Sequence, residues 1–147
     1  MSFAIELFDE DSETKRTASG LISIGSFQER FSAPLDFWSM NDYRRHWSDS
    51  VDFLISTGKD SCLITAMHNP NTANFIQWWL LYPRGNSVFI QNQLLFLNAL
   101  PDAFNVLKPY LQVPARQVIN DEGVPISEWE STLNDFVCFK FNSLSRS

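Results

Sequence analysis

Apolar and polar positions alternate along much of this chain, and the alternation divides it into short elements. "AIELF" (4–8) alternates weakly and predicts a strand, and "LISIGSF" (21–27) predicts a second. Between them "DEDSETKRTASG" (9–20) is polar enough to be a hairpin loop. "ERFSAPLDFW" (29–38) reads as irregular, because Pro34 cannot donate to the ladder of a central strand. From Ser39 the period changes. Tyr43, Trp47, Val51, Leu54 and Ile55 recur at helical spacing, with Arg44, Arg45, Asp49 and Asp52 left towards solvent. Ser39 with Asp42 resembles a capping box, and Gly58 supplies a stop, so the pattern predicts a helix over 39–57.

The second half returns to period two. "SCLITAMH" (61–68) is β-rich, and "NPNTAN" (69–74) is a loop by its Asn and Pro content. In "FIQWWLLY" (75–82), Ile76, Trp78, Leu80 and Tyr82 face one way and Phe75, Gln77, Trp79 and Leu81 the other. Both faces are apolar, which predicts a central strand covered by a helix on at least one side. "PRGN" (83–86) is turn chemistry and "SVFIQNQLLF" (87–96) is the returning strand. "PDAFNVLKPYL" (101–111) predicts a short helix begun by Pro101 and stopped before Pro109. "ARQVIN" and "VPISEWEST" flank "DEG" as a late hairpin. "LNDFVCFKF" (133–141) fits a terminal helix or a last strand, with the helix preferred. The expected fold is α+β over a single domain, 1–147: a mainly antiparallel sheet with a long helix packed on one face and one or two shorter helices.

Composition supports a self-sufficient core. A 147-residue chain with 13 Phe and 5 Trp can build one from large rings, without disulfides or metal. Cys62 and Cys138 sit in apolar runs and read as buried, reduced thiols. The opening residues lack a basic leader, and no apolar run is long enough to span a bilayer, so the expected location is the cytosol.

Charge changes the picture more. Residues 1–14 and 117–135 hold 10 of the 17 acids and no base, leaving 7 acids against 11 bases elsewhere. Segregation of this kind creates a surface field that concerns partners. It argues against nucleic-acid binding and is compatible with a basic protein partner. The candidate partner-binding residues are Asp9, Glu10, Asp11, Asp121, Glu122, Glu128 and Glu130.

Candidate chemistry is sparse. His46, between Asp42 and Asp49 on the helix, reads as a surface residue with local charge partners. His68 closes a strand with no nucleophile turn beside it. The Cys and His spacings match no metal motif, and no glycine-rich phosphate loop is present, so no cofactor or metal is expected. Two rivals to a binding protein remain open. One is a ligand-binding or enzymatic domain with a pocket near Trp78/Trp79 and His68, with Asn74 at its mouth. The other is an oligomeric module using the edge of strand 87–96.

Three stretches together carry a resemblance. "FWSMNDYRRHWSDSVDFLI", "SCLITAMHNPNTANFIQWWLLYPRGNSVFIQNQLLF" and "INDEGVPISEWESTLNDF" resemble, in that order, the immunity proteins of bacterial contact-dependent growth inhibition systems. The similarity covers roughly residues 23–136. Its most specific parts are Trp38, Ser39, Asp42, Tyr43 and Trp47, the paired tryptophans with their returning strand, and the "DEG" to "ISEW" segment. The resemblance implies a protein that binds one toxin domain, often a nuclease, in a one-to-one complex and neutralises it without chemistry of its own. It contributes fold residues and assigns no functional ones.

Overall fold

The structure, a computed structural model, describes residues 2–10 and 16–145. Strands β1 (Phe3–Glu10), β2 (Thr17–Ile24) and β3 (Phe27–Pro34) form one antiparallel sheet in that order. Strands β4 (Ser61–Ala66), β5 (Phe75–Arg84), β6 (Ser87–Phe96) and β7 (Trp129–Thr132) form a second, also in chain order. Helix α1 (Met40–Thr57) joins the sheets, and α2 (Leu133–Ser145) closes the chain. The fold is α+β, with its antiparallel strands divided between two sheets.

Local chemistry sets most boundaries. Two-residue loops at Gly25–Ser26 and Gly85–Asn86 connect β2 to β3 and β5 to β6, and both glycines take the positive φ that such hairpins need. Ser39 Oγ accepts from the Asp42 N–H while Asp42 Oδ2 accepts from the Ser39 N–H, a reciprocal cap at the start of α1. The same device starts α2, where Thr132 and Asp135 exchange backbone and side-chain bonds. Three expectations give way here. Residues 27–34 form β3, with Pro34 tolerated because it ends an edge strand. No helix forms over 101–108. The Asn105 side chain takes the Lys108 N–H and Gln112 bonds to the backbone of Ala103 and Asn105, leaving only one-turn 3-10 segments at Leu97–Ala99 and Pro109–Gln112. Cys62 is buried, but Cys138 lies on the exposed side of α2.

The apolar character of both β5 faces follows from what covers them. Trp79, Leu81, Asn92 and Ile90 share one face by register. That face meets the three-stranded sheet through Trp129, which stacks on Phe27 and leans on Trp79, and through Asn92, which donates to Glu29. Trp78, Tyr82, Gln91 and Gln93 share the other face, covered by the irregular segment 97–128: Tyr82 Oη donates to the Pro114 carbonyl and Gln91 Nε2 to the Gln117 carbonyl. Trp78 and Trp79 are each about 1% exposed, so both rings are frame rather than display. The cover on the second face is an irregular segment and not a helix.

Helix α1 runs along β4, the margin of the four-stranded sheet, and its side chains complete that margin. Trp47 Nε1 donates to the Ile64 carbonyl at 2.8 Å, and the Ile64 N–H donates to His46 Nε2 at 2.8 Å. Tyr43 Oη accepts from the Met67 N–H and donates to the Pro34 carbonyl, tying β4 to β3. Because His46 Nε2 accepts, its proton sits on Nδ1, 3.2 Å from Ser50 Oγ. The expectation of a surface His46 is therefore corrected: the ring is buried and bonded into the β4 margin, and burial pushes its pKa down to about 3.

Candidate partner-binding face

The late acidic segment folds back from residue 114 to residue 128 over the second face of the four-stranded sheet. Its hairpin character reduces to one bridge, Ile119 with Pro125, closed by Asn120 N–H to Val124 O and Ile126 N–H to Val118 O. Asn120 Oδ1 accepts from the Glu122 and Val124 amides, an Asx-type turn that holds the tip. Asp121 and Glu122 stand exposed at that tip. Beside them Val118, Ile119 and Val124 are each more than half exposed. These three side chains place exposed aliphatic surface next to the acidic tip.

The base of this finger is fixed by the carboxylate expected to display charge. Glu128 receives both Arg116 donors, at 2.6 and 2.9 Å, and Gln91 Nε2 at 2.8 Å. Those Arg116 hydrogen bonds hold its carboxyl below the usual range against partial desolvation, with Gln91 assisting. The Arg116 guanidinium also lies over the Phe89 ring at 4.2 Å. Glu128 therefore anchors the loop to β6. Glu130, on β7, is exposed and accepts from Ser87 Oγ. Asp135, the other acid of this segment, is buried as the α2 cap.

The N-terminal acids lie elsewhere. Asp9 is exposed near the end of β1, Glu10 ends that strand opposite Ala18, and Asp11 lies outside the described residues. The three-stranded sheet covers one face of the four-stranded sheet and the finger covers the other. Asp9, on the three-stranded sheet, and the finger acids Asp121 and Glu122 therefore lie on opposite sides of the four-stranded sheet.

The pocket considered around Trp78/Trp79 and His68 is not assembled. A groove of about 490 Å³ lies between β6 and the finger, lined by Trp78, Tyr82, Gln93 and Asp121 among others. Trp79 faces the opposite side of the sheet. His68 is absent from that lining and lies 3.8 Å from Asp36, before α1. Among the described residues no three His, Cys, Asp or Glu side chains are grouped to hold a metal, and no helix is long and apolar enough to cross a membrane. Sequence reasoning missed Arg116, Asn120 and the aliphatic trio. The signal was there in valines and an isoleucine flanking "DEG" in a segment too short to bury them.

The fold is an α+β frame of buried rings that carries an anchored, acid-tipped aliphatic turn. The chain belongs to the CdiI N-terminal domain family, whose profile matches residues 33–139, and the resemblance to immunity proteins of contact-dependent growth inhibition is borne out. It is similar to the immunity protein CdiI of Enterobacter cloacae subsp. cloacae, with 30% identity over 128 residues and 84% of each chain covered. It is also similar to a chain of the solved CdiA-CT/CdiI toxin and immunity complex from Enterobacter cloacae. That match has a TM-score of 0.84 and 27% identity, and covers 97% of this chain and 99% of the other.

Proposed function

We propose that this protein binds a cognate CdiA-CT-type toxin domain one to one, inside the cell, and neutralises it without chemistry of its own. The observation that carries the reading is the likeness, over nearly the whole chain, to a protein solved within a toxin and immunity complex. The toxin domain is a nuclease in this reading, and its active site is the surface covered. A nuclease must be basic where it holds phosphate. Asp121 and Glu122 offer that surface two carboxylates on a turn that Asn120 and the Arg116–Glu128 pair hold in place. Val118, Ile119 and Val124 supply apolar contact beside them, so little ordering entropy is lost on binding. Glu130 extends the acidic face on β7, Glu128 acts by positioning, and the acidic run Asp9, Glu10 and Asp11 supplies a second acidic contact.

Co-expression with the toxin domain of the neighbouring reading frame tests the proposal. Growth is restored and the two chains co-purify at equal stoichiometry. Failure to restore growth with a stably folded protein would refute it.

A further inference from the structure

Strand β1 is the outer strand of the three-stranded sheet, and its backbone pairing shows which groups face outward. The Gly25 N–H donates to the Ser2 carbonyl, which continues the β1–β2 register in which Phe3 pairs with Ile24 and Ile5 with Ile22. In an antiparallel pair the bonded positions alternate, so Ser2, Ala4 and Glu6 turn their N–H and C=O groups to β2. Phe3, Ile5 and Leu7 turn theirs away. Arg44 reaches that outer row at its far end, its Nη2 donating to the Leu7 carbonyl at 3.2 Å.

The outer row borders a groove of about 530 Å³ between β1 and the two helices, with Arg44 and Ser48 of α1 and Phe139 of α2 on its far wall. An unpaired strand row inside a walled groove is a template for one more strand. Charge selects the occupant. Glu6 lines the groove, Asp9 is exposed further along the strand, and the sequence continues with Glu10, Asp11 and Glu13 before the first base at Lys15. Arg44 is the basic side chain lining the groove, and its guanidinium is turned to the Leu7 carbonyl.

We propose that the outer row of β1 is the docking site for an extended, Lys- or Arg-bearing segment of the cognate toxin domain, which adds to the sheet as a fourth strand. This inference rests on the toxin-binding function proposed above and names a second contact for it. The added strand pairs with the outward groups of Phe3 and Ile5, and its basic side chains lie along Glu6 and Asp9.

Residue-resolved amide hydrogen exchange, on the free protein and on its complex with the purified toxin domain of the neighbouring reading frame, tests the proposal. Exchange at Phe3 and Ile5 slows at least tenfold in the complex, while Ala4 and Glu6, already bonded to β2, change little. A one-to-one complex in which Phe3 and Ile5 exchange as in the free protein overturns the inference and leaves toxin binding standing; the β1 acids would then only guard an open edge. Protection that appears without toxin and grows with protein concentration assigns the edge to a second copy, which also overturns it. Absence of any complex removes both readings. Ser48→Trp, which fills the groove from α1 and leaves the β1 sequence intact, weakens toxin binding at least tenfold at unchanged Tm; unchanged affinity in this folded variant contradicts the proposal.

Discussion

At the outer margin of β4, His46 and Trp47 take the N–H and the carbonyl of Ile64, and Tyr43 takes the N–H of Met67. At the outer margin of β1, Arg44 takes the carbonyl of Leu7, and the outward groups of Phe3 and Ile5 face a groove. Both are outermost strands of antiparallel sheets, and α1 contributes side chains to both. The difference lies in commitment. The β4 margin is closed by aromatic and imidazole side chains that are themselves buried, so removing one leaves a buried backbone group unpaired as well as a void. The β1 margin and the acid-tipped finger carry groups directed outward. Stability should therefore concentrate at β4, and recognition at β1 and the finger.

Trp47→Ala should break the closed margin and give the largest effect. It deletes a core ring and strands the Ile64 carbonyl, so unfolding in urea should show a loss of at least ~3–5 kcal/mol. Solution pH sharpens the same contrast. His46 titrates near 6.5 in the unfolded chain and at about 3 when folded. Between those values the unfolded state binds the extra proton, so stability falls as pH falls. Its contribution is fully present above about pH 6.5 and is lost towards pH 3, with a slope approaching about 1.4 kcal/mol per pH unit. Denaturant titrations from pH 7.5 to 4.5 should show a plateau and then this decline. Glu128→Gln comes next. It weakens a mostly buried pair at the base of the finger, so we expect a loss of about 1–2 kcal/mol and faster amide exchange at Glu122 and Val124.

Much of the frame is readable from residue order because it is set locally. The Ser39–Asp42 cap, the Gly58 stop, the "PRGN" turn and the doubly apolar β5 each depend on neighbours within a few positions. The division into two sheets depends on which strands pair at long range, and apolar alternation is the same in either arrangement. His46 belongs to the stripe of Tyr43, Trp47, Ser50 and Leu54 by helical spacing, yet its nearby carboxylates suggested a solvent-facing ring. Its true partner, the Ile64 amide, is 18 positions away in sequence. The 101–111 segment misled because Pro-bounded stretches suit short helices, but one or two turns seldom hold without packing, and Asn105 and Gln112 offered the backbone other bonds. At the candidate site, the acidic character of 121–122 was legible. Pairing of Glu128 with Arg116 was not, since the ion pair forms only when the loop folds onto β6.

The smallest expected effect on stability is also the sharpest on function. Asp121→Lys combined with Glu122→Lys alters an exposed tip and should change unfolding free energy by no more than about 0.5 kcal/mol. The direct measurement is the association rate of the wild-type and doubly reversed proteins with the toxin domain of the neighbouring reading frame, between 50 and 500 mM salt. If displayed carboxylates steer a basic partner, wild-type association slows by about tenfold or more across that range while dissociation changes far less, and the reversed variant starts slow and loses most of its salt dependence. Wild-type association indifferent to salt, or a reversed variant that associates as fast as wild type, would contradict it.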